Sequence, residues 1–168
     1  MYNVVGVEFA EENDARQALN ALSQTPQING TTIYQIALVK RKNGEIKLCD
    51  NFNSEYLTSR DTVKGGLIGG LVGLLTGPVG ALLGGAAGAL LGDSADVDNK
   101  HFSQELIAQV AQKMEEGSMG LLMTVDENDE SILDHMLLKY NNKNVYRFDA
   151  EAIAKEVEAA KTQADQEG

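Results

Sequence analysis

Tryptophan is absent, cysteine occurs once and proline twice, and aromatic residues make up only 5% of the 168-residue chain. The lone thiol, Cys49, cannot close an intrachain disulfide, so the expected compartment is a reducing one, the cytoplasm. Histidine is nearly as scarce. Neither His101 nor His135 stands at metal-ligand spacing from Cys49 or from the other, so no metal site is expected. Basic residues are outnumbered, 14 Lys and Arg against 25 Asp and Glu, and the net charge of -11 disfavours general affinity for nucleic acid. No cleavable leader is expected, because Met1 to Phe9 carries no basic run and soon meets Glu8, Glu11 and Glu12. What remains is a 43% hydrophobic chain, which excludes wholesale disorder, of a length that fits one domain with an appendage.

The sharpest shortage is local. From Gly65 to Gly92 there are 28 residues without a charge, and 11 of the 17 glycines lie among them. Residues 1–64 are almost balanced, with 7 Lys/Arg and 8 Asp/Glu, whereas 93–168 hold 7 against 17. The acidity is therefore a property of the carboxyl-terminal part.

Around that stretch the hydrophobic pattern alternates between strand and helix. Val4, Val5, Val7 and Phe9 predict a mostly buried strand over 2–9. Ala15, Ala18, Leu19 and Leu22 share one face of a helix over 11–23. Pro26 and Gly30 break the chain before a strand over 31–40, and Asn43-Gly44 suits a type I′ turn into a returning strand with Ile46 and Leu48. Beyond the uncharged stretch, Asp96 or Asp98 can cap a helix carrying Phe102, Leu106, Ile107, Val110 and Met114, which Gly117 ends. A buried strand over 119–125 follows. Next comes a helix with Ile132, Leu133, Met136, Leu137 and Tyr140 facing inward, then a strand over 144–148. A final helix over 149–165 has only Ile153, Val157, Ala160 and Ala164 on its apolar side, as in a loosely docked tail or a partner-binding helix. Two split βαβ halves in this order predict an α+β fold, a ferredoxin-like antiparallel sheet with helices on one face. That domain would comprise 1–52 plus 99–148, with an inserted hairpin over 63–92 and an acidic helix or tail over 149–168.

The glycines of the insertion recur in fours. Gly65, Gly69, Gly73 and Gly77 form one series, and Gly80, Gly84, Gly88 and Gly92 form another. On a helix each series makes a smooth ridge that lets another helix approach closely, with Leu67, Ile68, Leu71 and Val72 opposite the first and Leu82, Leu83, Leu90 and Leu91 opposite the second. Gly77-Pro78 is a natural break, so two helices are expected, over 63–76 and 79–91. Each interior glycine disfavours helix by about 1 kcal/mol relative to alanine, so 11 of them cost on the order of 10 kcal/mol unless lipid or another helix covers the ridges. A 13-residue arm is about 20 Å long, short of a hydrocarbon core of about 30 Å. A single long span would part the two halves of the sheet. A shallow re-entrant hairpin, a double pass through a thinned bilayer, or a hairpin buried in a protein assembly remains. A flexible linker would use Ser and polar residues in place of Leu and Val.

The stretches VVGVEFAEENDARQALNAL, IYQIALVKRKNGEIKL, KGGLIGGLVGLLTGPVGALLGGAAGALLG, FSQELIAQV and GSMGLLMTVDE together resemble the DUF1269 family of bacterial proteins, often labelled as predicted membrane proteins, over roughly 3–127. The resemblance implies a ferredoxin-like domain carrying a glycine-zipper hairpin, loosely a stress-linked setting, and no catalytic residues. The Glu-rich tail after Phe148 lies outside the matching pattern.

Reaction chemistry finds little support. Neither G-x-x-x-x-G-K-[ST] nor G-x-G-x-x-G after a strand is present. Asp126, Asn128 and Glu130 imitate the start of a calcium loop, but Ser131 stands where glycine is needed and Leu137 where the bidentate carboxylate is needed, so helix capping explains them better. Asp93, Asp96 and Asp98 lack ligand spacing, and Cys49 would be a nucleophile only beside a base. Lys40, Arg41, Lys42 and Lys47 form a basic hairpin tip, either a solvated turn or a contact for lipid headgroups or an acidic neighbour. The expectation is a non-enzymatic protein without cofactor or metal that partners itself. Its hairpins, through Gly65, Gly69, Gly73, Gly77, Pro78, Gly80, Gly84, Gly88 and Gly92, would pack between subunits of a homo-oligomer. One alternative inserts the hairpin into lipid at the inner face of the cell membrane. Another is a small-ligand sensor, on fold analogy alone.

Overall fold

The computed structural model describes residues 1–57, 66–77 and 105–167. These residues form, in order, β1 (Tyr2–Phe9), α1 (Glu12–Gln24), β2 (Gln27–Ile28), β3 (Thr31–Lys42), β4 (Glu45–Asn53), α2 (Gly66–Thr76), α3 (Glu105–Gln112), β5 (Met119–Glu127), α4 (Glu130–Leu138), β6 (Val145–Asp149) and α5 (Ala150–Glu167). The result is a mixed α+β fold. Its strands make one six-stranded antiparallel sheet in the order β2-β3-β5-β1-β6, with β4 also paired to β3. β1 and β3 flank β5 and are joined through α1. β5 and β6 flank β1 and are joined through α4.

The alternation of side chains along each strand decides what covers the two faces. Val5, Val7 and Phe9 pack with Ile36, Leu38, Leu121 and Met123 under α1 and α4. Val4, Ala37, Val39 and Leu122 lie on the other face, in one cluster with residues of α2, α3 and α5. The expectation of helices on one face is therefore corrected: both faces are covered. The cause is visible in β1 and β5, which are apolar at both parities and buried along almost their whole length. A strand of that kind needs cover on two sides.

α5 supplies part of that cover. Ile153 and Val157 are fully buried and Ala160 nearly so, so the helix is neither a loose tail nor an unpartnered stripe. In α4 only Leu133 and Leu137 are fully buried. Ile132, Met136 and Tyr140, also expected inside, are half-buried.

The turns follow local chemistry. Asn43 and Gly44 take φ of 57° and 78°, the left-handed pair that a type I′ turn requires, and Gly117 turns the chain after α3 at φ 83°. β2 was not anticipated. It is two residues long and joined to β3 by a second Asn-Gly turn, Asn29-Gly30. The second expected arm of the insertion over 79–91, the caps at Asp96 or Asp98, and His101 and Phe102 lie outside the described residues.

Candidate functional site

The first arm of the insertion is a helix, α2, and its sequence GLIGGLVGLLT divides cleanly into two sides. Leu67, Ile68, Leu71, Val72 and Leu75 are buried on the chain's own sheet. Burying an aliphatic side chain stabilises by about 1.5–3 kcal/mol, against about 1 kcal/mol lost per interior glycine, so packing on the sheet, α3 and α5 outweighs the glycine cost of this arm. Neither lipid nor a second subunit is needed to hold it helical. For residues 66–76, then, the chain's own body supplies the cover; the rest of the uncharged stretch, 78–92, lies outside the described residues.

The helix start is fixed by Gln35 on β3. Its side-chain oxygen accepts from the Ile68 backbone N–H at 3.1 Å, and its amide nitrogen donates to Asn53 Oδ1 at 3.1 Å. Gly66 stands over this amide at φ 85°, where a side chain would run into Gln35. Sequence spacing gave no sign of this anchor, because a lone Gln on an apolar strand reads as an exposed position.

The other side of α2 carries Gly69 and Gly73, which are exposed, and among the described residues a Cβ at either would meet nothing within 4 Å. Beside this bare flank runs a groove of about 240 Å³, floored by Ala37, Leu48, Asn51 and Asn53 and walled by Gly69 and Gly73. Among the described residues no charged side chain lines it. The floor is open because from Lys47 onward the residues of β4 are exposed, apart from half-buried Phe52. The pairing slips at Leu38/Val39, so that Val39 faces Leu48, Leu38 faces Asp50, and Cys49 is the extra residue of a bulge. The bulge turns Leu48, 46% exposed, toward the same side as Asn51 and Asn53. Thus Gly69 and Gly73 of the first series are brought together at one open surface, with Gly77 half-exposed just past the helix end. Gly65, Pro78, Gly80, Gly84, Gly88 and Gly92 lie outside the described residues.

The basic hairpin tip does not form one patch. Arg41 is turned inward, 7% exposed, and its Nη1 donates to the carbonyls of Ala111 at 3.0 Å and Met114 at 2.7 Å, capping the end of α3. Lys40 and Lys47 are cross-strand partners, with the Lys40 Nζ 4.0 Å from Glu12 Oε1, while Lys42 is exposed. Arg41 is therefore a structural residue, because period-2 alternation places it on the opposite face from both its lysine neighbours. The tip is held from below by Glu116, whose carboxylate accepts from the backbone N–H groups of Asn43 and Gly44.

Two further polar clusters were not foreseen. Arg147 binds Glu127 and Asp134 at one end of the sheet. At the other end Glu8, 2% exposed, accepts from Asn144 Nδ2 through Oε2, while its Oε1 has no partner among the described residues. Tyr146 sits beside it, and burial, followed by the charges of Glu8 and Glu115, raises its phenol pKa well above the usual range. Cys49 is exposed and His135 sits on α4 with its Nδ1 against the Ser131 carbonyl, neither beside the other. Among the described residues no group of three His, Cys, Asp or Glu is placed to hold a metal ion, and no helix is long and apolar enough to cross a membrane.

No curated protein and no solved structure matches the chain. One family model does, described as a protein of unknown function (DUF1269), over residues 62–161. The match leaves out the first 61 residues and runs through most of α5, so the pattern extends past Phe148 into the terminal helix. It spans more than half of the sequence, and this chain belongs to the DUF1269 family.

Proposed function

We propose that this protein is a non-enzymatic, self-assembling protein whose copies join through the bare flank of α2. One observation carries the reading: α2 spends its large side chains on the chain's own core and turns Gly69 and Gly73 outward, with nothing within 4 Å of a Cβ there among the described residues. Backbones can approach closely at such a flank, which is the packing logic of small residues at four-residue steps. The adjoining groove adds a seat lined, among the described residues, by uncharged side chains, on a chain of net charge -11 whose carboxyl-terminal part is strongly acidic. The partner's own α2, equally free of charge, fits that seat. In this reading the body is a ferredoxin-like head, as the two interleaved strand-helix-strand passages support, and α2 is the first arm of a glycine-zipper hairpin. The same uncharged flank would be the part to meet lipid in the alternative membrane-associated reading.

Size-exclusion chromatography with light scattering in detergent-free buffer tests assembly. A homo-oligomer is expected, and Gly69→Leu with Gly73→Leu should reduce it to monomer without loss of helix or sheet signal. A monodisperse wild-type monomer overturns the reading. Mixing a Leu48→Cys, Cys49→Ser chain with a Gly73→Cys, Cys49→Ser chain locates the contact: an oxidised heterodimer places the partner helix over β4.

A further inference from the structure

Two turns of this chain are built from the same dipeptide in the same geometry. Asn29-Gly30 joins β2 to β3, and Asn43-Gly44 joins β3 to β4. The φ values are 47° and 83° in the first turn, 57° and 78° in the second. Both asparagines are exposed. An asparagine followed by glycine is prone to spontaneous cyclisation, because no Cβ on the following residue hinders its backbone nitrogen. The glycine nitrogen attacks the asparagine Cγ and a new N–Cγ bond forms. The Cγ–Nδ2 bond breaks, and ammonia leaves with the proton lost from the glycine nitrogen. Solvent water then opens the succinimide at one of its two C–N bonds, giving aspartate or isoaspartate. The step depends on removing that one backbone proton.

The two turns differ at that proton. In the second, Glu116 Oε2 accepts from the Gly44 N–H at 3.0 Å, and Oε1 accepts from Asn43 N–H. A carboxylate bonded to an N–H favours its protonated form and repels the anion that would replace it. The same grip fixes the turn. Among the described residues no side chain accepts from the Asn29 or Gly30 N–H in this way.

We propose that Asn29 is a spontaneous deamidation site, and that Glu116 protects the otherwise equivalent Asn43. The outcome at Asn29 is not neutral for the fold. A side chain at Gly30 would lie 3.0 Å from the Asn128 amide, so this turn abuts the β5–α4 connection at Asn128 and Asp129. A new carboxylate at 29 adds a negative charge beside that connection. Isoaspartate also lengthens the backbone of a two-residue turn that holds only the short β2 ladder, Gln27 to Thr32 and Ile28 to Thr31. The modified chain should lose β2 and keep the β3–β4 hairpin.

The test is peptide mapping by mass spectrometry of the full chain, incubated in mildly alkaline buffer at physiological temperature, with enzymatic methyl labelling of isoaspartate. Asn29 should convert about tenfold faster than Asn43, the scale of one hydrogen bond to a charged group. Glu116→Gln, which keeps the shape and removes the charge, should bring Asn43 toward the rate of Asn29. The unaltered Asn29 rate in the same variant serves as the control for its fold. Equal rates at the two sites in the wild-type chain overturn the proposal, as does an Asn43 rate that Glu116→Gln leaves unchanged.

Discussion

Arg147 on β6 grips Glu127 at the end of β5 with two prongs, Nε to Oε2 at 2.7 Å and Nη2 to Oε1 at 3.1 Å. The carboxylate is wholly shielded from water and also accepts from Asn3 Nδ2 at 3.1 Å. Burial works against the guanidinium charge, but the bonds to Glu127 and Asp134 outweigh it and hold its pKa above the usual value. Arg147→Met should therefore cost about 3–5 kcal/mol in urea unfolding, because it strands Glu127 as an unpaired buried charge. The double variant with Glu127→Gln should recover part of that loss. A cost below about 1 kcal/mol for the single variant would mean that water reaches Glu127 after all.

Thr124 makes the opposite prediction. It is fully buried between Val4 and Gln35 in the sheet, and among the described residues its hydroxyl has no partner. An unsatisfied buried hydroxyl costs on the order of 1–3 kcal/mol. Thr124→Val keeps the branched shape and removes the oxygen, so it should raise the melting temperature, with a gain of about 1 kcal/mol at the midpoint. A loss of stability would show that the hydroxyl is bonded in solution.

The sheet was readable because β1, β3 and β5 are dense in branched aliphatics and because Asn43-Gly44 and Gly117 punctuate them with residues that tolerate positive φ. The helical character of α2 was readable from its four-residue glycine steps. What the sequence hid is tertiary. Whether Leu67 and Leu71 meet lipid, another copy or their own sheet is decided by strands more than twenty residues away, and no local pattern carries that choice. Arg41 reads as one of a run of cations until strand alternation is combined with the position of the carbonyls at the end of α3. The groove depends on a bulge at Cys49, which a strand pattern of alternating residues cannot announce.

Glycines on the two sides of α2 should answer substitution with opposite signs. Gly69 sits at an exposed helical position with open space above it, so Gly69→Ala should stabilise the monomer by about 1 kcal/mol through helix propensity. Gly66 is at φ 85° against the Gln35 amide, so Gly66→Ala should destabilise by more than that. Urea midpoints under conditions where the chain is monomeric measure both. A loss of stability for Gly69→Ala would reveal that its flank is already covered within one chain.

Glu156 on α5 caps α3 from outside, accepting from Leu106 N–H at 2.8 Å and 3.0 Å and from Ile107 N–H at 3.1 Å. Glu156→Ala should cost about 1 kcal/mol, as for other lost helix caps. The pH dependence has a definite sign. Burial raises the Glu156 pKa above its ordinary value of 4.5; the bonds from Ile107 and Leu106 oppose the rise, and the charge of Glu105 adds to it. The folded chain thus holds this proton more tightly than the unfolded chain does. The stability it contributes is full below the unfolded pKa and is lost as pH climbs through the raised folded value. Glu156→Gln does not titrate at this position, so the wild type should gain on Glu156→Gln as pH falls from neutral toward 4.5. Parallel unfolding curves of the two chains across that window measure the difference. A gap that widens in favour of Glu156→Gln on acidification would mean that the amide bonds from α3, and not burial, dominate this carboxyl.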